Sequence, residues 1–135
     1  HTIQEGDSSV VKKILERGLK SLDRSKHVSL ISKFGELEFK FGDPERGRTY
    51  FESVIDNAPR RVDIWSVYLD MEIKTKDDKR IRRLFERATS LQLSTKKMKF
   101  LFKRYLEYAK ATKADVATIE HIREKARLYV DSKMA

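Results

Sequence analysis

The residues able to do chemistry in this chain are few, and their spacing limits what they can do. The histidines, His1, His27 and His121, are far apart and lack the separations that hold a metal ion. There is no cysteine, so no disulfide, thiol nucleophile or cysteine-based zinc site can form, which is compatible with a reducing compartment. Gly42 and Gly47 do not make a phosphate-binding loop. Asp77-Asp78 is read more economically as a helix cap than as a pair of catalytic acids. No groups converge, so we expect no enzyme, metal, cofactor or small-molecule substrate. What remains is charge. Residues 76–104 hold eleven lysines and arginines against three acids, a net of +8, whereas the other 106 residues net only +1. The candidate binding residues are Lys79, Arg80, Arg83 and Arg87, then Lys96, Lys97, Lys99, Lys103 and Arg104. Concentrated cations suit phosphate or an acidic protein surface. The 96-KKMK-99 run sits at an expected helix N-terminus, where amide donors and the dipole also favour phosphate. Phosphate contacts of this kind position a nucleic acid without reading its sequence. The competing explanation is a solvated charged face.

One acid is out of place. In 64-IWSVYLDMEIK-74, Trp65, Tyr68 and Glu72 share one stripe of a helix. A carboxylate on an apolar stripe needs a partner. Arg48 and Arg82 each stand three residues before an aligned phenylalanine, Phe51 and Phe85, and each follows a motif glutamate, Glu38 and Glu72, by ten residues. In the last copy Ala109 replaces the acid, and Glu120 stands where the arginine should be. The expectation is an ion pair, Glu38–Arg48 and Glu72–Arg82, inside each full repeat, fixing the hairpin more than stabilising it. The rival is two independent surface charges. Trp65, Tyr68 and Tyr105 could stack nucleobases, but at repeating positions they are expected in the core.

The elements that carry these residues repeat. The stretches 14-ILERGL-19, 50-YFESVI-55, 84-LFERAT-89 and 122-IREKAR-127 are marked by glutamates at 16, 52, 86 and 124. Between them, Ile31-x-x-Phe34-x-x-x-Glu38 matches Trp65-x-x-Tyr68-x-x-x-Glu72, and Phe102-x-x-Tyr105 is a third copy. Helical periodicity covers 27–41 (Leu30, Ile31, Phe34, Leu37, Phe41), 61–74 (Ile64, Trp65, Tyr68, Leu69, Met71) and 96–110 (Met98, Leu101, Phe102, Tyr105, Tyr108). Asp43-Pro44, Asp77, Ser94 or Thr95, and more weakly Asp115, are caps, and Asn57-Ala58-Pro59 ends one helix and admits the next. No stretch alternates with period two. Seven helices in antiparallel hairpins are expected: an all-α solenoid whose hairpins bury one another's apolar faces, rather than an ordinary bundle. A right-handed array is expected, with Phe34, Phe51, Trp65, Tyr68 and Phe85 between helices. The 135 residues suit one domain. No run of 18 apolar residues or signal peptide is present, so a soluble chain without a membrane partner is expected. His1 is no initiator, so the chain is expected to be an excised fragment or to carry a tag remnant, with 1–7 loose.

The Trp-x-x-Tyr-x-x-x-Glu helix, followed by the aromatic-Glu-Arg-Ala signature in Arg80–Ala88, resembles the half-a-tetratricopeptide, or HAT, repeat over residues 12 to about 130. Tetratricopeptide repeats proper carry a Leu-Gly pair that is missing around Trp65. The text GDPERGRTYFESVIDNAPRRVDIWSVYLDMEIK, then IRRLFERATSLQLSTKKMKFLFKRYLEYAK, is similar to the C-terminal HAT region of a family of nucleolar pre-ribosomal RNA processing factors that carry OB-fold repeats ahead of it. The motif departs at Ala109 and Arg123, both in the last copy, as a capping unit would. The resemblance implies a non-catalytic scaffold in the nucleus and nucleolus that supports small-subunit RNA production, with ribosome-assembly proteins and pre-ribosomal RNA as partners. The alternative it leaves open is a protein scaffold of a splicing or 3′-end complex with no direct RNA contact.

Overall fold

The computed structural model describes residues 24–134, and side-chain burial from residue 27. They form six helices and no strand: α1 (Arg24–Phe41), α2 (Pro44–Asn57), α3 (Val62–Thr75), α4 (Asp78–Ala88), α5 (Thr95–Ala111) and α6 (Val116–Met134). The further helix expected around 14–19, and the loose 1–7 segment, lie outside the described residues. The described residues form two compact units, one with α1–α3 up to Thr75 and one with α4–α6 from Lys76 on.

Local chemistry sets the helix boundaries. The Asp43 carboxylate accepts from the Glu45 amide at 3.0 Å while Pro44 opens α2. Asp77 caps α4 through the Arg80 amide at 3.3 Å, and Ser94 caps α5 through Lys97 at 3.4 Å. The weakly signalled Asp115 caps α6 through Thr118 at 2.8 Å. At the end of α5, Lys113 takes a left-handed φ of 57°. Its amide reaches the Lys110 carbonyl, and the Ala114 amide reaches that of Ala109, which satisfies the carbonyls of the last turn.

In the first unit α1 and α2 cross at two glycines. A Cβ on Gly47 would lie 2.5 Å from the Phe39 ring, and one on Gly35 2.9 Å from the Phe51 ring. Neither position tolerates a side chain, and the two rings fill the space. This crossing turns inward the face of α1 that carries Val28, Ser32, Gly35 and Phe39. The opposite stripe, expected in the core from its apolar spacing, is therefore outward. Leu37 is 46% and Phe41 60% exposed, and Ile31 and Phe34 are only half-buried. Phe34 rests beside Tyr50, with centroids 6.5 Å apart. The other rings expected inside, Phe51, Trp65, Tyr68 and Phe85, are buried.

Consecutive helices α2 and α3 are clasped by an aromatic-acid pair. Phe51 stacks on Tyr68 at 4.9 Å and 7°, and the Tyr68 hydroxyl donates to Glu52 at 2.8 Å. The second unit repeats this between α4 and α5. Phe85 stacks on Tyr105 at 4.8 Å and 3°, and the Tyr105 hydroxyl donates to Glu86 at 2.7 Å. The stack contributes on the order of 1 kcal/mol beyond the area it buries. Trp65, also buried, anchors the α2–α3 connection by donating its indole N–H to the Pro59 carbonyl at 2.9 Å.

This antiparallel register corrects the expected ion pairs. One turn back along α2 from Phe51 is Arg48, and one turn on along α3 from Tyr68 is Glu72. Arg48 donates to Glu72 through Nε at 2.7 Å and Nη2 at 3.0 Å. The pair thus joins Glu72 to the arginine of the preceding helix, 24 residues back, rather than to Arg82 ten residues ahead. Glu38 is not the partner of Arg48. It is buried and accepts from the Asp43 amide at 3.4 Å, closing its own helix end. Arg82 is held by Asp78 at 2.9 Å and donates to Thr118 at 3.3 Å. The same step from Phe85 and Tyr105 leads to Arg82 and Ala109, so the acid is missing across from Arg82. The substitution noticed at Ala109 is meaningful, but in a different pairing from the one the ten-residue spacing suggested.

Candidate functional site

The basic segment becomes two rows of side chains on α4 and α5. On α4, Lys79, Arg83 and Arg87 follow one another at intervals of four and are exposed. Arg80 beside them is exposed and pairs with Asp77 at 3.2 Å. On α5, Lys96, Lys99 and Lys103 share one flank, with Lys97 and Arg104 on the next. The lysines are exposed and Arg104 is half-buried. Lys103 lies 4.0 Å from Glu107, a long contact between two exposed groups. Among the described residues no carboxylate lies within about 4 Å of Lys79, Arg83, Lys96 or Lys99. Lys96 and Lys97 stand at the amino end of α5, so its first-turn amides and dipole add to their positive field.

Beside this row, α5 and α6 enclose a groove of about 570 Å3. Phe102, Leu106, Ala126, Tyr129 and Val130 form its floor, and Lys99, Lys103 and Lys110 stand along it with Glu107. The floor rings are used internally. Phe102 and Tyr129 lie 6.3 Å apart at 48°, both buried, and the Tyr129 hydroxyl donates to the Leu93 carbonyl. Lys110 was not among the candidates because it falls beyond the charge-rich segment. Its place seven residues after Lys103, on the same flank, is the signal that could have found it.

The remaining polar group of note is Glu86, on the face of α4 toward α5 and α6. It accepts from Tyr105 at 2.7 Å and from Lys125 Nζ at 3.0 Å, and lies 3.0 Å from His121 Nε2. Partial burial pushes its carboxyl pKa up, but the Tyr105 and Lys125 hydrogen bonds and the Lys125 charge outweigh that and hold it below its ordinary value. Burial, reinforced by the bond to Glu86, pushes the Tyr105 phenol pKa up. The Tyr108 phenol, donating to Asp78 at 2.5 Å, rises for the same two reasons. A carboxylate held ionised by the Tyr105 and Lys125 donors, beside phenols held protonated, is a structural tie and not an acid–base pair poised near neutrality. His121, isolated in the sequence, belongs to this tie. Among the described residues no group of three or more potential ligands could hold a metal ion, and no helix is long and apolar enough to cross a membrane.

Sequence reasoning treated Glu52 and Glu86 as markers of the repeat and missed what they hold. The usable signal was co-occurrence: wherever a helix carries Phe-Glu (51–52, 85–86), the next aromatic motif supplies a tyrosine (68, 105). With Trp65, Tyr68 and Tyr105 all buried, none of these three rings offers a free face to a nucleobase. The motif residues shape the fold, and the exposed charge lies in the cationic rows and beside the groove.

Comparison with known proteins identifies the repeat. The family described as PRP39 N-terminal HAT repeat matches residues 28–127. The chain is 50% identical over 117 residues to the rRNA biogenesis protein rrp5 of Schizosaccharomyces pombe, 46% over 129 residues to RRP5 of Arabidopsis thaliana, and 41% over 131 residues to the RRP5 homolog of Homo sapiens. These alignments cover 87%, 96% and 97% of this chain but only 7% of each relative, so the chain spans a small part of their length. The expected resemblance to the HAT region of a ribosomal RNA processing factor is thus to RRP5, and the fold class is the alpha-alpha superhelix of such repeats. From its repeated helices and the span of the match, the chain belongs to the HAT-repeat family.

Proposed function

We propose that this chain is a non-catalytic scaffold within a ribosome-assembly factor. It acts in pre-ribosomal RNA processing and small-subunit maturation in the nucleolus, holds assembly proteins, and contacts RNA phosphates without sequence preference. Similarity to relatives named as rRNA biogenesis proteins supports the setting. The observation that carries the RNA contact is the exposed set Lys79, Arg83, Lys96 and Lys99, cations with no carboxylate near them among the described residues. Neutralising them with phosphate costs no internal ion pair. Arg82, held by Asp78 and Thr118, does not belong to this surface.

The test is fluorescence anisotropy of single-stranded RNAs of unrelated sequence with the wild-type chain and with the triple variant Lys96→Glu, Lys97→Glu, Lys99→Glu. All three side chains are exposed, so helicity and Tm should stay nearly unchanged. Affinity should fall by at least about tenfold, to a similar degree for every RNA. Undiminished binding by the variant would place the RNA surface elsewhere. No RNA binding by the wild-type chain, with capture of an acidic assembly protein intact, would leave only the protein scaffold.

A further inference from the structure

We propose that the groove between α5 and α6 docks an acidic amphipathic helix of a partner protein. This deepens the scaffold half of the function above by naming the partner's chemistry and where it sits. The groove runs along α5 from Thr95 to Lys110, about 22 Å at 1.5 Å per residue, which matches four turns of a helix. Its floor offers aliphatic surface, Leu106, Ala126 and Val130, over the occupied rings of Phe102 and Tyr129. An apolar stripe at i, i+3, i+4 and i+7 fits such a channel. The alkyl stems of Lys99, Lys103 and Lys110 wall it and carry their ammonium groups to the rim.

The charge selects the occupant. Three lysines face the groove against one acid, Glu107, whose contact with Lys103 is long and exposed on both sides. A helix with carboxylates flanking its apolar stripe meets this rim favourably, and one with lysines does not. A second copy of the chain is a poor occupant, because its own net charge is +9. Nucleobases are poor occupants too, because both rings of the floor are buried and a base stacks on an exposed face. Another repeat of the same pattern is also disfavoured. Where α2 and α4 carry Phe51-Glu52 and Phe85-Glu86, α6 carries Arg123-Glu124, so it has no ring to stack on a following tyrosine, and Arg127 already holds Glu124.

The probe is a synthetic helix of about 16 residues, with leucines along one stripe and glutamates beside it. Its twin has lysines in place of the glutamates. Binding to the full chain is read by anisotropy, with RNA binding measured in parallel. The acidic helix should bind, and its twin should bind about tenfold more weakly. Val130→Asp places a charge on the apolar floor at a residue 46% exposed, and should weaken the acidic helix at least about tenfold while leaving helicity unchanged. Lys110→Glu, outside the proposed RNA surface, should weaken it about fivefold and leave RNA affinity as it was. Equal binding of the two helices, or binding indifferent to both substitutions, overturns the proposal. So does a chain dimer dissolved by Val130→Asp, or an effect of Lys110→Glu on RNA alone. Loss of RNA affinity in the double variant Lys79→Glu, Arg83→Glu, neither of which lines the groove, with helix binding retained upholds the groove, and absence of RNA binding in the wild-type chain removes only the RNA reading.

Discussion

Phe51 stacks on Tyr68 and Phe85 on Tyr105 in nearly the same geometry, yet the residues one turn beyond each stack are spent differently. Between α2 and α3, Arg48 meets Glu72, a carboxylate 3% exposed, and also lies 5.6 Å over the Phe39 ring. Between α4 and α5 the acid is Ala109, and Arg82 falls back on Asp78 of its own helix. The electrostatic tie has moved to Glu86, which gathers Lys125 and His121 from α6. The comparison shows that the aromatic clasp is the constant part of the repeat and the ion pair the variable one. It also bears on where the excess charge comes from. An arginine neutralised by an interior glutamate in the first unit has no such acid in the second, where the +8 segment lies.

Removing the constant part should cost most, and equally on both sides. Phe51→Ala and Phe85→Ala each empty a fully buried ring site, and each should lower stability by about 3–5 kcal/mol in denaturant titrations. A loss below about 1 kcal/mol in either would break the equivalence of the two clasps. The variable part should separate them. Arg48→Ala leaves Glu72 buried and unpaired and should cost about 3 kcal/mol, whereas Arg82→Ala, at a more exposed pair, should cost less than about 1 kcal/mol. Replacing Arg48 and Glu72 together by methionine should restore most of the loss, because the desolvation of both charges is then avoided. Equal costs for the two arginines would contradict the register described.

These differences also mark what the sequence could convey. Helices and caps were legible because their signals are local: Asp43-Pro44, Asp77 and Ser94 act within one turn of themselves. The burial of Trp65, Tyr68 and Phe85 followed from a spacing that recurs. The partner of Glu72 was not legible, because a helix in a tandem array has a neighbour on either side and sequence separation does not say which one it faces. The spacing of ten pointed ahead, and the packing pointed back. The α1 stripe failed for a related reason. Both of its faces carry apolar residues, and the choice was made by Gly35 and Gly47, whose missing side chains bring Phe39 and Phe51 between the helices. The groove was hidden because its wall combines α5 with α6, and periodicity describes one helix at a time.

The smallest expected effect sharpens the second tie. The Glu86 pKa lies below its ordinary value of 4.5. Its contribution is therefore complete above that value and is lost as pH falls through the folded pKa. With a third of the side chain exposed, the term should amount to less than about 1 kcal/mol. Stability measured from pH 7 downward should fall below pH ~4.5 in the wild-type chain, with a shallower fall in Glu86→Gln. Identical profiles would show that Lys125 and His121 add nothing to the clasp.

The interior settles the fold and leaves a row of exposed cations, which we propose meet RNA phosphates. The most direct test is the salt dependence of RNA affinity. Each phosphate neutralised on a single strand contributes about −0.7 to the slope of log affinity against log salt. Contacts by Lys79, Arg83, Lys96 and Lys99 should therefore give a slope near −3, again roughly. Reversing Lys96, Lys97 and Lys99 removes two of those four contacts and should at least halve the slope, to about −1.4 or shallower. A wild-type affinity that does not change with salt, or a slope the reversal leaves intact, would contradict the account.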